Sequence, residues 1–134
     1  MTLLLLDTTF LIDTERATTD LDDLIDDDDD VAIAVITLAE LTVGVEVVAA
    51  RKRSRRQSYV DEIAASIPIL PYDEPVALRH ASLLVAVRRA GRPRGAHDLI
   101  IAATAAAAGR TVVSADRRAF DGLPGVTAID HRHA

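Results

Sequence analysis

The sequence predicts an α/β fold with a mostly parallel central sheet. Short apolar segments alternate along the chain with longer segments in which apolar residues recur at helical spacing. The first apolar segment, Leu3–Leu6, has no polar alternate, which is typical of a strand buried on both faces of a parallel sheet. Strands that alternate with helices are joined by right-handed crossovers. We therefore expect the C-terminal ends of the strands to share one edge, where ligands collect in such folds.

Five short apolar segments are predicted to be strands: Leu3–Leu6, Val31–Ile36, Pro68–Pro71, Thr111–Ser114 and Val126–Ile129. Prolines bound the third of these and place it at a sheet edge. Five segments with helical periodicity are predicted to be helices: Thr8–Arg16, Thr37–Ala50, Arg51–Ser66, Glu74–Ala90 and Asp98–Ala108. Gly109 is expected to close the last helix. Residues 20–30 are expected to form a short helix and an acidic loop, and residues 130–134 a tail.

Length and composition indicate one domain spanning residues 1–134, large enough to build its own core. The absence of cysteine excludes disulfides and thiolate metal sites, and the four aromatic residues are too few for a base-stacking platform. The apolar runs are shorter than a membrane span requires, and the N-terminus lacks the positive region of a signal peptide. These features lead us to expect a soluble, cytoplasmic protein. The net charge of −6 conceals basic clusters at residues 51–56 and 88–94.

Four acidic side chains share one predicted position. Asp7 and Asp116 each follow a strand, Glu40 lies one turn into the helix after the second strand, and Asp98 opens the helix before the fourth. If these helices pack on the sheet, all four carboxylates point to its C-terminal edge. Gathered carboxylates repel one another unless a cation or protons neutralise them. An all-oxygen ligand set suits Mg²⁺ or Mn²⁺, and the matching chemistry is phosphodiester hydrolysis with one or two metal ions.

Each acid also has a purely structural alternative. Thr37 and Glu40 match a capping box, Asp98 is a suitable N-cap for its helix, and Asp7 and Asp116 could cap the turns or helices after their strands. The run Asp26–Asp30 could bind a cation. A consecutive run is more typical of a solvated loop, because it lacks the alternating ligands of a calcium loop.

Several neighbours of the acids could assist them. Thr8, Thr9 and Ser114 could donate hydrogen bonds to the carboxylates, although purely structural hydrogen bonds are equally compatible with the sequence. His97 could act as a general base, but its position next to a helix N-terminus favours a role beside the cap. His131 and His133 are expected in the tail, not in a metal site.

Four segments in order resemble the motifs of PIN-domain ribonucleases, most closely the toxin component of VapBC toxin–antitoxin pairs. They are residues 4–12, 36–41, 95–105 and 114–120, and together they span almost the whole chain. The resemblance implies a PIN-like three-layer sandwich with a sheet of four to five strands. It implies an endoribonuclease that uses Mg²⁺ or Mn²⁺ to cleave tRNA or ribosomal RNA and arrest translation. The metal-binding and catalytic residues it implies are Asp7, Glu40, Asp98 and Asp116, the last at the family's least uniform position.

The resemblance also implies partners. These are a cognate VapB-like antitoxin that masks the acidic pocket, an RNA substrate and a second copy of the chain in a homodimer. An acidic pocket repels RNA, so nearby cations must hold the phosphate backbone; the candidates are Arg92, Arg94, Arg117 and Arg118, which could equally be solvated surface residues. The 51–56 cluster could face the antitoxin or only increase solubility.

Two other functions stay open at this stage. A receiver-type regulatory domain is also a small parallel α/β fold with an acidic Mg²⁺ pocket. It would need an acidic pair after the first strand, whereas the acids here are spread over four segments. A PIN-fold module that binds a partner without catalysis would keep the fold but bind no metal.

Overall fold

The computed structural model describes residues 1–16 and 25–130. Within these residues the strands are β1 Leu3–Leu6, β2 Asp30–Ala34, β3 Ile69–Leu70, β4 Thr111–Ser114 and β5 Ala128–Asp130. The helices are α1 Thr8–Glu15, α2 Val35–Val47, α3 Ala50–Ser66, α4 Glu74–Ala90, α5 Ala96–Ala108 and α6 Arg117–Phe120. The predicted helix near residue 20 and the predicted tail histidines lie outside the described residues.

The five strands form one sheet in the order β3-β2-β1-β4-β5, and every neighbouring pair is parallel. The predicted fold class is therefore confirmed, with β1 at the centre of the sheet and β3 at an edge. The chain builds outward from β1 on one side and then crosses to β4 on the other. The strand order thus reverses beside β1, and the C-terminal ends of β1 and β4 flank the crevice where such sheets bind ligands.

Alternating side chains of β1 enter two separate cores. Leu4 and Leu6 pack with apolar residues of α1, α2 and α3, whereas Leu5 packs with residues of α4, α5 and α6. Successive side chains of a strand point to opposite faces, so a strand covered on both faces needs apolar residues at every position. The four consecutive leucines meet this need and set β1 between two helical layers, as predicted.

Helix boundaries differ from the predictions at two places that matter for the site. Helix α2 begins at Val35 and α5 at Ala96, each two residues earlier than predicted. Val35 and Ile36 are apolar and suit a strand or a helix, so periodicity could not locate the junction. As a result Thr37 and Asp98 lie inside the first turns of their helices and are not at the N-caps. The short helix α6 and the later start of β5, at Ala128, were not predicted either.

The remaining helix ends follow ordinary capping chemistry. Asp73 caps α4 by accepting a hydrogen bond from the Val76 backbone N–H at 3.2 Å. Gly109 ends α5 in the left-handed conformation, as predicted. Among residues 1–16 and 25–130, no helix combines the length and apolar character needed to cross a membrane.

Candidate active site

Asp7 stands at the C-terminal end of β1 and is only 3% exposed. Its backbone N–H donates to the Val113 carbonyl oxygen at 3.0 Å, which joins the ends of β1 and β4. The Asp7 Oδ2 atom accepts hydrogen bonds from Ser114 Oγ at 2.7 Å and Thr9 Oγ1 at 3.1 Å. Although Asp7 occupies the N-cap position of α1, its side chain makes no capping hydrogen bond. The capping alternative is therefore wrong for Asp7, whose carboxylate is oriented by two hydroxyl groups.

The same two hydroxyl groups hold the loop that follows β4. Thr9 Oγ1 accepts a hydrogen bond from the Ala115 backbone N–H at 3.1 Å, and Ser114 Oγ accepts one from the Asp116 backbone N–H at 3.0 Å. Ser114 is buried and lies 3.1 Å from Thr9 through their hydroxyl oxygens. This network fixes the position of Asp116 relative to Asp7.

Glu40 projects from α2 between two other helices. Its Oε1 atom accepts a hydrogen bond from Thr8 Oγ1 at 2.8 Å, and its Oε2 atom lies 3.6 Å from His97 Nδ1. The predicted capping box is wrong, because α2 has Ala34 at its N-cap with no side-chain cap, and the Thr37 hydroxyl is buried without a hydrogen-bond partner. Glu40 is thus directed toward α1 and α5.

Asp98 lies in the first turn of α5, and the charges of the three other acids all act on it. Its pKa is raised to about 6, first by desolvation and then by the negative charges of Asp7, Asp116 and Glu40, while His97 opposes the shift. Charges that perturb one another in this way are close in space. The N-cap of α5 is Gly95, so the predicted N-cap role of Asp98 is wrong.

Asp116 is the one acid for which the structural alternative is confirmed. It is exposed, and its Oδ1 atom accepts a hydrogen bond from the Ala119 backbone N–H at 3.3 Å, which caps α6. Its charge nevertheless acts on Asp98. Asp116 therefore combines a capping role with a place at the rim of the carboxylate cluster.

The four acids are near one another but not drawn onto one point. Within the described residues, the group of three or more potential metal ligands whose ligand atoms all lie within 4.8 Å of one another is Asp26, Asp28 and Asp29, in the loop before β2. That loop is held by its own carboxylates, since Asp29 accepts hydrogen bonds from the Thr2 and Asp26 backbone N–H groups, both at 3.0 Å. The hydrogen bond from Asp26 is the main reason that the pKa of Asp29 is lowered. No three of the four acids at the candidate site form such a group among the described residues.

The predicted RNA-binding arginines differ in their surroundings. Arg94 donates hydrogen bonds to the carbonyl oxygens of Arg118 at 2.8 Å and Asp121 at 2.5 Å, so its guanidinium group braces the loop after β4. Arg117 is exposed, and its Nε atom lies 3.8 Å from Asp121 Oδ2. Arg92 and Arg118 are exposed as well. Arg94 thus has a structural role that the sequence did not indicate, and the other three have side chains accessible from solvent.

Gly95 is a residue of the site that the sequence interpretation missed. Its backbone (φ −59°, ψ 141°) suits any amino acid, yet a Cβ atom at this position would lie 2.7 Å from Asp98 Oδ2. An N-cap residue and the residue three positions later face each other at a helix N-terminus. The spacing of Gly95 and Asp98 was therefore a signal that could have revealed the contact.

Together these observations define a parallel α/β protein with a carboxylate cluster at the switch point of its sheet, beside hydroxyl donors. Comparisons with known proteins agree with this class. The PIN domain family model matches residues 4–125. The tRNA(fMet)-specific endonuclease VapC of Salmonella typhimurium is 32% identical over 98 residues, which are 73% of each chain. Ribonuclease VapC5 of Mycobacterium tuberculosis is 35% identical over 102 residues, which are 76% of this chain and 75% of that one.

A solved structure extends the similarity to the whole fold. The crystal structure of VapBC-5 from Mycobacterium tuberculosis, a member of the VapBC family of toxin–antitoxin systems, aligns with a TM-score of 0.81 and 35% identity. The alignment covers 96% of this chain and 98% of that one. The chain belongs to the PIN-domain family and, within it, to the VapC ribonucleases.

Proposed function

We propose that this protein is the toxin of a type II toxin–antitoxin pair, an endoribonuclease that hydrolyses RNA with a divalent cation held by Asp7, Glu40, Asp98 and Asp116. The single observation that carries the proposal is the proximity of Asp98 to the other three acids: its pKa is raised to about 6 first by desolvation and then by the negative charges of Asp7, Asp116 and Glu40. Acids recruited from four separate segments would not converge for capping alone, because each added carboxylate destabilises the others.

The residues present fit a hard divalent cation. The donors are carboxylate oxygens supported by hydroxyl groups, and the chain contains no cysteine. A bound cation would offset the repulsion that raises the pKa of Asp98. Mg²⁺ or Mn²⁺ in such a site lowers the pKa of a bound water and neutralises charge on the phosphodiester oxygens.

The chain's own residues divide the remaining work. Asp7, the most buried acid, has its orientation fixed by Thr9 and Ser114. Glu40 is oriented by Thr8 and has His97 beside its second oxygen. Fixed carboxylates need little reorganisation when a cation and a phosphate enter, and this preorganisation lowers the barrier to hydrolysis.

The comparisons support the choice of substrate and partner. The Salmonella relative is named as a tRNA(fMet)-specific endonuclease, and the solved Mycobacterium tuberculosis structure is that of a member of the VapBC family of toxin–antitoxin systems. On this basis we assign this chain a tRNA substrate and a VapB-like antitoxin, and we keep ribosomal RNA as an alternative substrate and a homodimeric form from the sequence resemblance. Exposed Arg92, Arg117 and Arg118 supply cations for the RNA backbone beside the acids.

The test is an RNA cleavage assay with purified protein, run with Mg²⁺, with Mn²⁺ and with a chelator. Cleavage should require the metal and should fall at least a hundredfold in Asp7→Asn and in Asp98→Asn, because each variant loses a charged ligand. Asp61→Asn is the matched control, since Asp61 is an exposed acid on α3 whose contact with Gln57 an asparagine can keep.

Two results would contradict the proposal. One is cleavage by Asp7→Asn and Asp98→Asn at the rate of the Asp61→Asn control. The other is metal-independent cleavage that separates from this protein during purification, which would assign the activity to a contaminating nuclease.

A further inference from the structure

A concave basic surface lies away from the acids, and neither the carboxylate site nor its arginines account for it. This surface, the basic groove, encloses about 640 Å³ where the end of α1 meets the α2–α3 junction. Its lining residues are Glu15, Arg16, Val48, Arg51, Lys52, Arg55 and Arg56. Five of these seven side chains are basic and one is acidic, a balance of +4 in a chain whose net charge is −6.

The groove has a fixed floor and an open rim. Arg56 Nε lies 2.7 Å from Glu15 Oε1, and both side chains are mostly buried, so this ion pair joins α3 to α1. Arg16, Arg51, Lys52 and Arg55 are exposed. Among the ion pairs described for residues 1–16 and 25–130, only the Glu15–Arg56 pair falls in the groove. The side chains of the rim cations are thus exposed to solvent, around a floor that the Glu15–Arg56 ion pair holds in place.

Helix α3 begins in this groove with unfavourable electrostatics of its own. It has 17 residues, Ala49 at the N-cap makes no side-chain hydrogen bond, and the first turn contains no acid. Arg51, Lys52 and Arg53 add positive charge to the end where the helix dipole and unpaired N–H groups are already positive. An anion bound at this end would relieve both effects.

The groove is connected to the carboxylate cluster by two helices. Helix α1 starts next to Asp7 and ends at Glu15, and α2 carries Glu40 and ends beside Val48. At 1.5 Å per residue, both paths cover about 10–12 Å. Stacked nucleotides advance roughly 3.4 Å each, so this distance corresponds to about three nucleotides.

We propose that the basic groove binds the phosphate backbone of the RNA about three nucleotides away from the bond that is cleaved. The inference rests on the proposed ribonuclease function and adds a binding site to it. Phosphates necessarily extend from the reacting bond along the strand, and guanidinium groups match phosphate geometry in pairs of hydrogen bonds. Helices α1 and α2 join the groove to the carboxylate cluster, so RNA is the occupant that the geometry favours, and an acidic peptide is an alternative outcome of the test.

The experiment measures RNA binding in the Asp7→Asn background, in which cleavage does not consume the ligand. The groove variant is R51Q/K52Q/R55Q, and the control R79Q/R88Q/R89Q makes the same change in charge at three exposed positions of α4. Binding of a 12-nucleotide and a 3-nucleotide single-stranded RNA is titrated from 50 to 300 mM salt. A charge-preserving variant, R51K/R55K, reports on folding without loss of cations.

For the 12-nucleotide RNA, the groove variant should lose about 2 from the slope of log K against log salt, because each lost phosphate contact contributes roughly 0.7. Its affinity near 100 mM salt should fall about tenfold, while R51K/R55K keeps the slope. Binding of the 3-nucleotide RNA should be weaker and should lose less of the salt slope in the groove variant, because so short a strand makes fewer phosphate contacts and cannot span both sites. The control triple should change the slope by less than half as much.

Equal slopes for the groove variant and the control triple would overturn the proposal, even if the unmodified chain cleaves RNA in the assay above. So would a groove variant that binds RNA normally but loses affinity for deca-glutamate, since the groove would then serve an acidic protein segment. Absence of any cleavage by the unmodified chain would instead refute the nuclease function. The binding titration would still show whether the groove contacts RNA.

Discussion

Replacing Asp98 with asparagine should stabilise the metal-free protein at neutral pH while it abolishes function. In the folded chain the pKa of Asp98 is about 6, against an ordinary value of 3.8. A carboxyl group whose pKa is raised by folding binds more protons in the folded state, so stability is greatest below the ordinary pKa and falls as pH rises through the folded value. The loss occurs between about pH 4 and pH 6 and persists at pH 7. Asparagine does not ionise, so the Asp98→Asn variant avoids this loss of stability.

The expected gain in stability follows from the pKa shift of Asp98 once the shift is discounted for screening by solvent. A shift of about 2 pKa units corresponds to roughly 3 kcal/mol for a group fully shielded from solvent. Asp98 is only half buried, so we discount this to about 1–1.5 kcal/mol. Its carboxylate also gains about 0.5 kcal/mol from the N-terminus of α5. The expected net gain of 0.5–1 kcal/mol raises the Tm of a chain of this length by roughly 2–4 °C.

The assay is thermal unfolding of the wild type and of Asp98→Asn in a chelator from pH 4 to pH 8, with Asp61→Asn as the control. The two curves of Tm against pH should meet near pH 4 and separate as pH rises. Added Mg²⁺ should stabilise the wild type more than the variant, because at a given concentration a ligand that binds the folded state more tightly stabilises it more. A variant that is less stable than the wild type at pH 7 without metal would refute the reasoning, since Asp98 would then be a stabilising group of its helix.

Three further predictions rest on single contacts. Thr37→Val should raise the unfolding free energy by about 1 kcal/mol in urea titrations, because it removes a buried hydroxyl that lacks a partner; a loss of stability would show that the hydroxyl makes a stabilising hydrogen bond in solution. Gly95→Ala should weaken Mg²⁺ binding about tenfold in calorimetry with Tm changed by less than about 2 °C, since the new Cβ displaces the Asp98 carboxylate; unchanged binding would show that the carboxylate adapts. Ser114→Ala should lower kcat about tenfold or more by freeing the Asp7 carboxylate, and activity equal to wild type would argue against this positioning.

The fold was predictable because its main signal is local. Consecutive leucines can all be buried only where both faces of a strand are covered. The two cores on the opposite faces of β1 meet that condition. The starts of α2 and α5 were not predictable in the same way. The side chains of Val35 and Ala96 are compatible with a helix or with extended backbone, so tertiary packing decides at which residue each helix begins.

For the site, the sequence indicated which acids gather but not how each is held. Position relative to strand ends and helix starts identified Asp7, Glu40, Asp98 and Asp116, because parallel strands share one edge. The hydrogen bond from Thr8 to Glu40 joins residues 32 positions apart and depends on the packing of α1 against α2. No local pattern encodes such a contact. The contact between Gly95 and Asp98 is local, and its spacing was visible in the sequence.

The differing support of the four acids argues for unequal roles in one site. Carboxylates cannot stabilise one another, so each depends on a neutral donor or on solvent. Asp7 is buried and held by two hydroxyls, Glu40 by one, and Asp116 by the N-terminus of α6 in contact with solvent. Asp98 has desolvation and three negative neighbours, opposed by His97 and by the N-terminus of α5. The acid with the least compensation gains most from a cation, so Asp98 is where metal binding and folding stability are most strongly linked.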